Sequence, residues 1–241
     1  MVTPRKRKSK WDQRFIKLCE KRWFPDHVFR CLLWGKQRTG KTFLPKTLFP
    51  NLEITQFNEQ LTADDLMGGM GPGPDGKITW LDGPLTRAMR HGRIIQIDEF
   101  DQLSGETRYL SHQMLDNPAA VTTALGERIN AAKGYGVIAT TNAAPSDLPE
   151  TIYDRFDIMI KADSLSDGLI KSLGTRFAGP AQAALRQRPY DDKGFTRGAS
   201  PNLFMAASTL SSAGLSDEDV VEALGLDDHE AVEFLAAITT R

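Results

Sequence analysis

One octapeptide restricts the fold of this chain more than any other feature: Gly35-Lys36-Gln37-Arg38-Thr39-Gly40-Lys41-Thr42 fits G-x-x-x-x-G-K-[ST]. Leu32-Leu33-Trp34 stands directly before it as a strand, and a helix is predicted after it. Chance would place four such fixed positions in a chain of this length about once in a hundred sequences. The alternative of a Gly-rich turn with an exposed lysine is therefore set aside. Loop N–H groups and the start of the following helix surround phosphate oxygens. Lys41 neutralises charge on the β- and γ-phosphates, and the Thr42 hydroxyl can ligate Mg²⁺.

A strand, a phosphate loop and a helix demand a sheet around them. Short apolar runs predict strands at Val28–Trp34, Ile54–Phe57, Arg93–Ile97, Gly136–Thr140 and Ile158–Ile160. Between them lie helical stretches, the pattern of a parallel sheet covered on both faces, hence an α/β core. Trp11 to Lys21 predicts a short amphipathic helix behind a basic tail. From Asp163 strand signals stop, and amphipathic helices are expected, broken at Gly179-Pro180, Pro189 and Gly198. Ser200 and Pro201 suit the start of one of these helices, and Ser216 with Asp219 forms a capping box at another. The resulting division is 1–24 (tail and helix), 25–162 (α/β nucleotide-binding domain) and 163–241 (helical domain).

A phosphate loop alone does not separate kinases, GTPases and ATPases. The run Arg93 to Ile97 ends in Asp98-Glu99, 57 residues after Lys41. At the carboxyl end of a buried strand Asp98 can hold the water shell of Mg²⁺, and Glu99 can polarise an attacking water. Transfer to a substrate hydroxyl does not need that glutamate, so the pair argues for hydrolysis. Gly136 to Asn142 is a strand ending in polar residues, where Asn142 can reach the attacking water. Arg155, at a helix end before the fifth strand, either pairs with Asp154 or Asp157 or serves as a finger on a neighbour's γ-phosphate.

In order and spacing these elements resemble the Walker A, Walker B, sensor 1 and arginine-finger positions of AAA+ ATPases. Gln56-Phe57-Asn58, Asp64 to Gly68, Trp80 to Arg90 and Gly126 to Ile129 look like the MoxR group, closest to its CbbQ/NorQ-type members. The resemblance covers residues 25–161, and the helical end only weakly. It implies a five-stranded parallel sheet followed by a small helical lid, with ATP and Mg²⁺ bound. It further implies a ring, usually a hexamer, that remodels a client protein, often beside a von Willebrand factor A-domain partner. By the same resemblance the Gly-rich Met67–Asp82 stretch is an insert facing the ring pore, and Val121–Ile129 is either a pre-sensor hairpin or an ordinary surface turn. The family's usual sensor 2 arginine is Asn202 here, so either Arg197 or another lid arginine substitutes or lid closure is weakly coupled to the γ-phosphate.

Charge adds an assembly hypothesis. Ten basic and three acidic residues in 1–30 oppose one basic and eight acidic residues in 215–241, which is +7 against −7 within a net charge of −1. In a head-to-tail ring the two ends could meet and make assembly salt-sensitive. The basic end also keeps a nucleic-acid motor or loader as a rival reading, and Asn202 keeps a nucleotide-gated scaffold with little turnover as a third. Four isolated histidines suggest no metal site, and Cys19 and Cys31 read as reduced residues of a cytoplasmic protein. No apolar run suits membrane insertion.

Overall fold

The computed structural model describes residues 10–20, 28–187 and 201–239. They fall into two compact units, one within Met1–Gly35 and Lys41–Ala162 and the other within Lys36–Gly40 and Asp163–Arg241.

The first unit is built on five parallel strands: β1 (Phe29–Trp34), β2 (Glu53–Gln56), β5 (Ile94–Asp98), β8 (Gly136–Thr141) and β9 (Ile158–Lys161). Their spatial order is β2-β5-β8-β1-β9. All five strands expected from the sequence are present, displaced by no more than a residue or so at their ends. Because alternate residues point to opposite faces, the sheet feeds two apolar cores. Leu32, Ile95, Ile97, Val137 and Ala139 pack with Leu85 and Met89 of α4 (Pro84–His91) and with Leu110 and Met114 of α5 (Gly105–Leu115). Cys31, Leu33, Ile94, Ile138 and Ile160 share the other core with Leu44 of α2 (Phe43–Leu48). Trp11 and Phe15 of α1 (Trp11–Glu20) complete that core and are fully buried. Each such side chain removed from water contributes about 1.5–3 kcal/mol, so α1 is firmly seated on the sheet. Burial pushes the Cys19 thiol up to about 12 and holds the Cys31 thiol well above its ordinary value, which makes both poor nucleophiles.

Two hairpins stand apart from the main sheet. After α3 (Ala63–Met67), β3 (Gly68–Pro72) pairs antiparallel with β4 (Ile78–Asp82), and later β6 (Ala120–Thr122) pairs with β7 (Arg128–Asn130). They occupy the two stretches read from the sequence as insertions. The Gly-rich Met67–Asp82 stretch is thus a hairpin, its two strands joined by a turn over 73–77. A helical turn at Pro145–Asp147 and α6 (Glu150–Tyr153) lead into β9.

The second unit is helical: α7 (Asp167–Gln187), α8 (Pro201–Ser212), α9 (Asp217–Leu224) and α10 (Asp228–Thr239). Leu169, Leu173, Phe177 and Leu185 pack with Phe204 and Phe234, whose rings stack at 5.6 Å. The expected break at Gly179-Pro180 is not where the helix breaks. Gly174, at φ 68° and ψ 176°, interrupts α7 instead, and the helix runs on through Pro180. Without a Cβ, Gly174 adopts the left-handed region at little cost, whereas Pro180 forfeits one backbone bond. The capping box is as expected, with Asp219 N–H donating to Ser216 Oγ at 3.2 Å and Ser216 Oγ donating to Asp219 Oδ2 at 2.6 Å. Pro189, Gly198, Ser200, Arg197 and the side chain of Asn202 lie outside the described residues.

Candidate active site

In a parallel sheet every carboxyl end reaches one edge, and in α/β folds that edge is where ligands bind. Here it gathers Gly35 after β1, Asp98-Glu99 at the end of β5 and Asn142 after β8. Since β8 lies between β5 and β1, Asn142 stands between the two acids and Gly35.

Of that loop, Gly35, Lys41 and Thr42 belong to the first unit, and Lys36, Gln37, Arg38, Thr39 and Gly40 to the second. Gly35 has φ 123°, and a Cβ there would lie 2.7 Å from the Ala162 carbonyl oxygen, so only glycine fits. Arg38 also adopts a positive φ of 63°. Within the second unit Lys36 Nζ donates to the Leu185 carbonyl at 2.9 Å, and Thr39 is buried, its hydroxyl donating to the Lys36 carbonyl at 3.1 Å.

Lys41 is 6% exposed, and its ammonium donates to the Gly35 carbonyl at 2.7 Å and to Asn142 Oδ1 at 3.2 Å. Desolvation lowers its pKa from 10.5 to about 8, against the opposing pull of Asp98 and Asp101. A buried cation whose charge is under this strain fits an incoming phosphate, because an anion beside it restores the charged form.

The Thr42 hydroxyl lies 3.2 Å from Asp98 Oδ1, to which it donates. Thr140 Oγ1 and Gln96 Nε2 donate to the same oxygen, each at 2.8 Å. A hydroxyl and a carboxylate in contact are hard oxygen donors of the type Mg²⁺ takes beside phosphates, so Thr42 and Asp98 fit that ion. Among the described residues no group of three or more His, Cys, Asp or Glu offers another metal site.

Glu99 has φ 53°, a left-handed conformation that is costly for a residue with a Cβ and recurs at functional sites. Its carboxylate accepts a 2.6 Å hydrogen bond from Gln56 Nε2 at the end of β2. Strand register produces this contact, because Gln56 is the Cα partner of Asp98. Behind the turn Phe100 is fully buried, stacked on Phe57 and edge-on to Phe156, both with ring centroids 5.4 Å away.

Direct hydrogen bonds thus join Lys41 to Asn142 and Thr42 to Asp98, with Glu99 next in the chain. Arg155 is not among them. Its Nε donates to Asp116 Oδ1 at 3.1 Å and its guanidinium also reaches the Thr151 carbonyl. Neither local acid holds it: Asp157 is engaged by Arg30 through two hydrogen bonds of 2.7 and 2.9 Å.

Further from this edge, Arg90 at the end of α4 joins both hairpins. Its Nε lies 2.9 Å from Asp82 at the end of β4, and its two terminal nitrogens donate to Glu127 in the β6–β7 turn at 2.8 and 2.6 Å. Met70, Ile78 and Leu81 on one hairpin and Leu125 on the other are exposed apolar residues. Sequence reasoning assigned no role to Gln96, Thr140, Asp116 or Arg90, and met Gln56 only inside a longer motif.

Among the described residues no helix is long and apolar enough to cross a membrane. An uncharacterized protein of Staphylococcus epidermidis is 34% identical over 154 residues, which is 59% of this chain and 58% of that protein. An uncharacterized protein of Staphylococcus haemolyticus matches at the same identity and coverage. The chain thus spans less than two thirds of the length of these relatives. The denitrification regulatory protein NirQ of Pseudomonas aeruginosa is 26% identical over 223 residues, 85% of this chain and 84% of its own length. The family model for the AAA domain, dynein-related subfamily, matches residues 30–156, which hold the phosphate loop, the strand-end acids and the sheet apart from β9. The chain belongs to this family of AAA+ ATPase domains.

Proposed function

We propose that the chain is a Mg²⁺-dependent, ring-forming ATPase of the MoxR type, closest to CbbQ and NorQ proteins, that remodels or activates a partner protein. The observation that carries this reading is the contact of Lys41 with Asn142 beside the contact of Thr42 with Asp98. ATP binds with its phosphates along Gly35–Thr42, and Thr42 and Asp98 hold Mg²⁺, which supplies charge neutralisation on the phosphate oxygens. Asn142 orients a water, whose oxygen attacks the γ-phosphorus while Glu99 accepts its proton. The bond from that phosphorus to the β,γ-bridging oxygen breaks, and ADP and phosphate leave. Lys41 balances charge on the departing side, and Arg155 of the next subunit completes the site.

Gln56 holds the Glu99 carboxylate at 2.6 Å, so the resting ring turns over slowly until a partner draws that glutamate free. This reconciles the ATPase reading with the scaffold reading. A relative named as a denitrification regulatory protein supports a regulatory role. The two hairpins, with Met70, Ile78, Leu81 and Leu125 exposed, are the client-facing elements. A von Willebrand factor A-domain protein is the expected type of partner, and a hexamer the expected ring. Glu99→Gln should retain ATP and accumulate rings, and Arg155→Ala should bind ATP yet hydrolyse it poorly. Normal turnover by monomeric Arg155→Ala would refute the shared site. Stimulation by nucleic acid with a steep salt dependence would favour a nucleic-acid motor instead.

A further inference from the structure

Strand β5 is apolar up to its terminal acid except at one position. Ile94, Ile95 and Ile97 are buried, and Gln96 is fully buried among them. A buried amide costs stability unless each of its polar atoms finds a partner. Only one end of Gln96 does so. Nε2 donates to Asp98 Oδ1 at 2.8 Å and to the Thr42 carbonyl oxygen at 3.3 Å. Oε1 is buried and meets no hydrogen-bond donor among the described residues. Turning the amide over would not repair this, since Oε1 would then face two acceptors. The fold therefore leaves one oxygen unsatisfied and keeps the nitrogen on Asp98 and Thr42.

These are the two residues that fit the metal. Asp98 Oδ1 collects donors from Gln96, Thr140 and Thr42, and three donors on one oxygen fix the plane of the carboxylate. Gln96 adds what the two hydroxyls do not, a tie from the acid to the backbone of Thr42 at the end of the phosphate loop. Hydrogen bonds behind metal-holding carboxylates orient them, and their loss typically weakens metal affinity about 10–100-fold.

We propose that Gln96 is a positioning residue for the magnesium ion, holding the Asp98 carboxylate and the Thr42 backbone in the fixed relation that the ion requires. The inference rests on the nucleotide-binding reading given above. Its test uses the full chain with ADP and Mn²⁺ as the probe, titrated by electron paramagnetic resonance. Gln96→Met keeps the side-chain length and removes both polar atoms. Mn²⁺ should bind the ADP complex about tenfold more weakly. ADP affinity without metal should be unchanged, and the nucleotide-free melting temperature equal or higher, because the unsatisfied oxygen is gone. Gln96→Leu, which likewise removes both polar atoms, should weaken Mn²⁺ binding in the same direction and stands in if the Met variant does not fold. Wild-type Mn²⁺ affinity in either folded variant overturns the proposal, as does an equal loss of metal-free ADP binding. Asp98→Ala separates the two layers. If it loses Mn²⁺ while Gln96→Met does not, only the positioning role fails; if it also retains Mn²⁺, the assignment of the metal site fails with it.

Discussion

Replacing Lys41 by methionine should strengthen the empty fold and abolish nucleotide binding, and pH should decide how large the gain is. Burial lowers the lysine from 10.5 to about 8. At ~1.4 kcal/mol per pH unit, keeping the buried ammonium charged costs the folded state about 3 kcal/mol. Against this stand its hydrogen bonds to the Gly35 carbonyl and to Asn142 Oδ1, about 1 kcal/mol each. The methionine side chain fills similar space without the charge, so at pH 7 the variant should be more stable by about 1 kcal/mol. In a unit of this size that raises the melting temperature by ~2–4 °C.

The sign of the pH dependence follows from the direction of the lysine shift. A base whose folded pKa is depressed burdens the fold fully below about 8 and ceases to do so as pH climbs from 8 to 10.5. By pH 9.5 the remaining cost, about 1.4 kcal/mol, is smaller than the hydrogen bonds lost, and wild type should be the more stable of the two. Thermal melts of both proteins at pH 7 and 9.5, with and without Mg-ATP, test this order. Wild type alone should gain from Mg-ATP. That gain should weaken above pH 8, because a phosphate beside Lys41 raises its pKa and binding then requires proton uptake. A Met variant less stable at pH 7, or a difference that does not move with pH, would refute the account of Lys41 as a strained buried charge.

Gln56→Ala should raise ATP turnover without a partner severalfold by freeing the Glu99 carboxylate, while leaving ATP affinity unchanged. A fall in turnover would mean that Gln56 holds Glu99 in its working orientation instead. Arg90→Met should speed amide hydrogen exchange about fivefold in both Gly68–Asp82 and Ala120–Asn130. Two-stranded hairpins are marginal alone, so losing the ion pairs that tie each of them to Arg90 loosens both. Glu127→Gln touches only the second hairpin. Faster exchange in Gly68–Asp82 as well would establish that Arg90 couples them, and an effect confined to Ala120–Asn130 would exclude it.

The strands of the main sheet were legible because their burial on both faces writes continuous apolar runs into the chain. The residues proposed to face a ligand were legible for a related reason: phosphate and Mg²⁺ present the same chemistry in every protein, which calls for glycines, a lysine, a hydroxyl and strand-end acids at the spacing of Gly35 to Thr42 and Asp98-Glu99. Helix breaks were less so. Gly179-Pro180 is the stronger breaker in sequence, yet Gly174 takes the positive φ because the break occurs where the backbone needs that conformation, and proline cannot supply it.

The residues that hold the site, as distinct from those that touch the ligand, obey no such constant chemistry. Gln56 reaches Glu99 across 43 residues and Thr140 reaches Asp98 across 42, contacts made only by the register of β2, β5 and β8. Arg155 has acids on either side in sequence, at Asp154 and Asp157, but pairs with Asp116, 39 residues away, because Asp157 is occupied by Arg30 from β1. Local spacing ranks partners by nearness along the chain, while the fold ranks them by which strand ends share an edge. A polar residue inside an otherwise apolar strand is the one trace of this second ordering that sequence retains. Gln96 breaks a run of isoleucines at a cost to burial, and such a break is tolerated where its amide meets something that isoleucine could not hold.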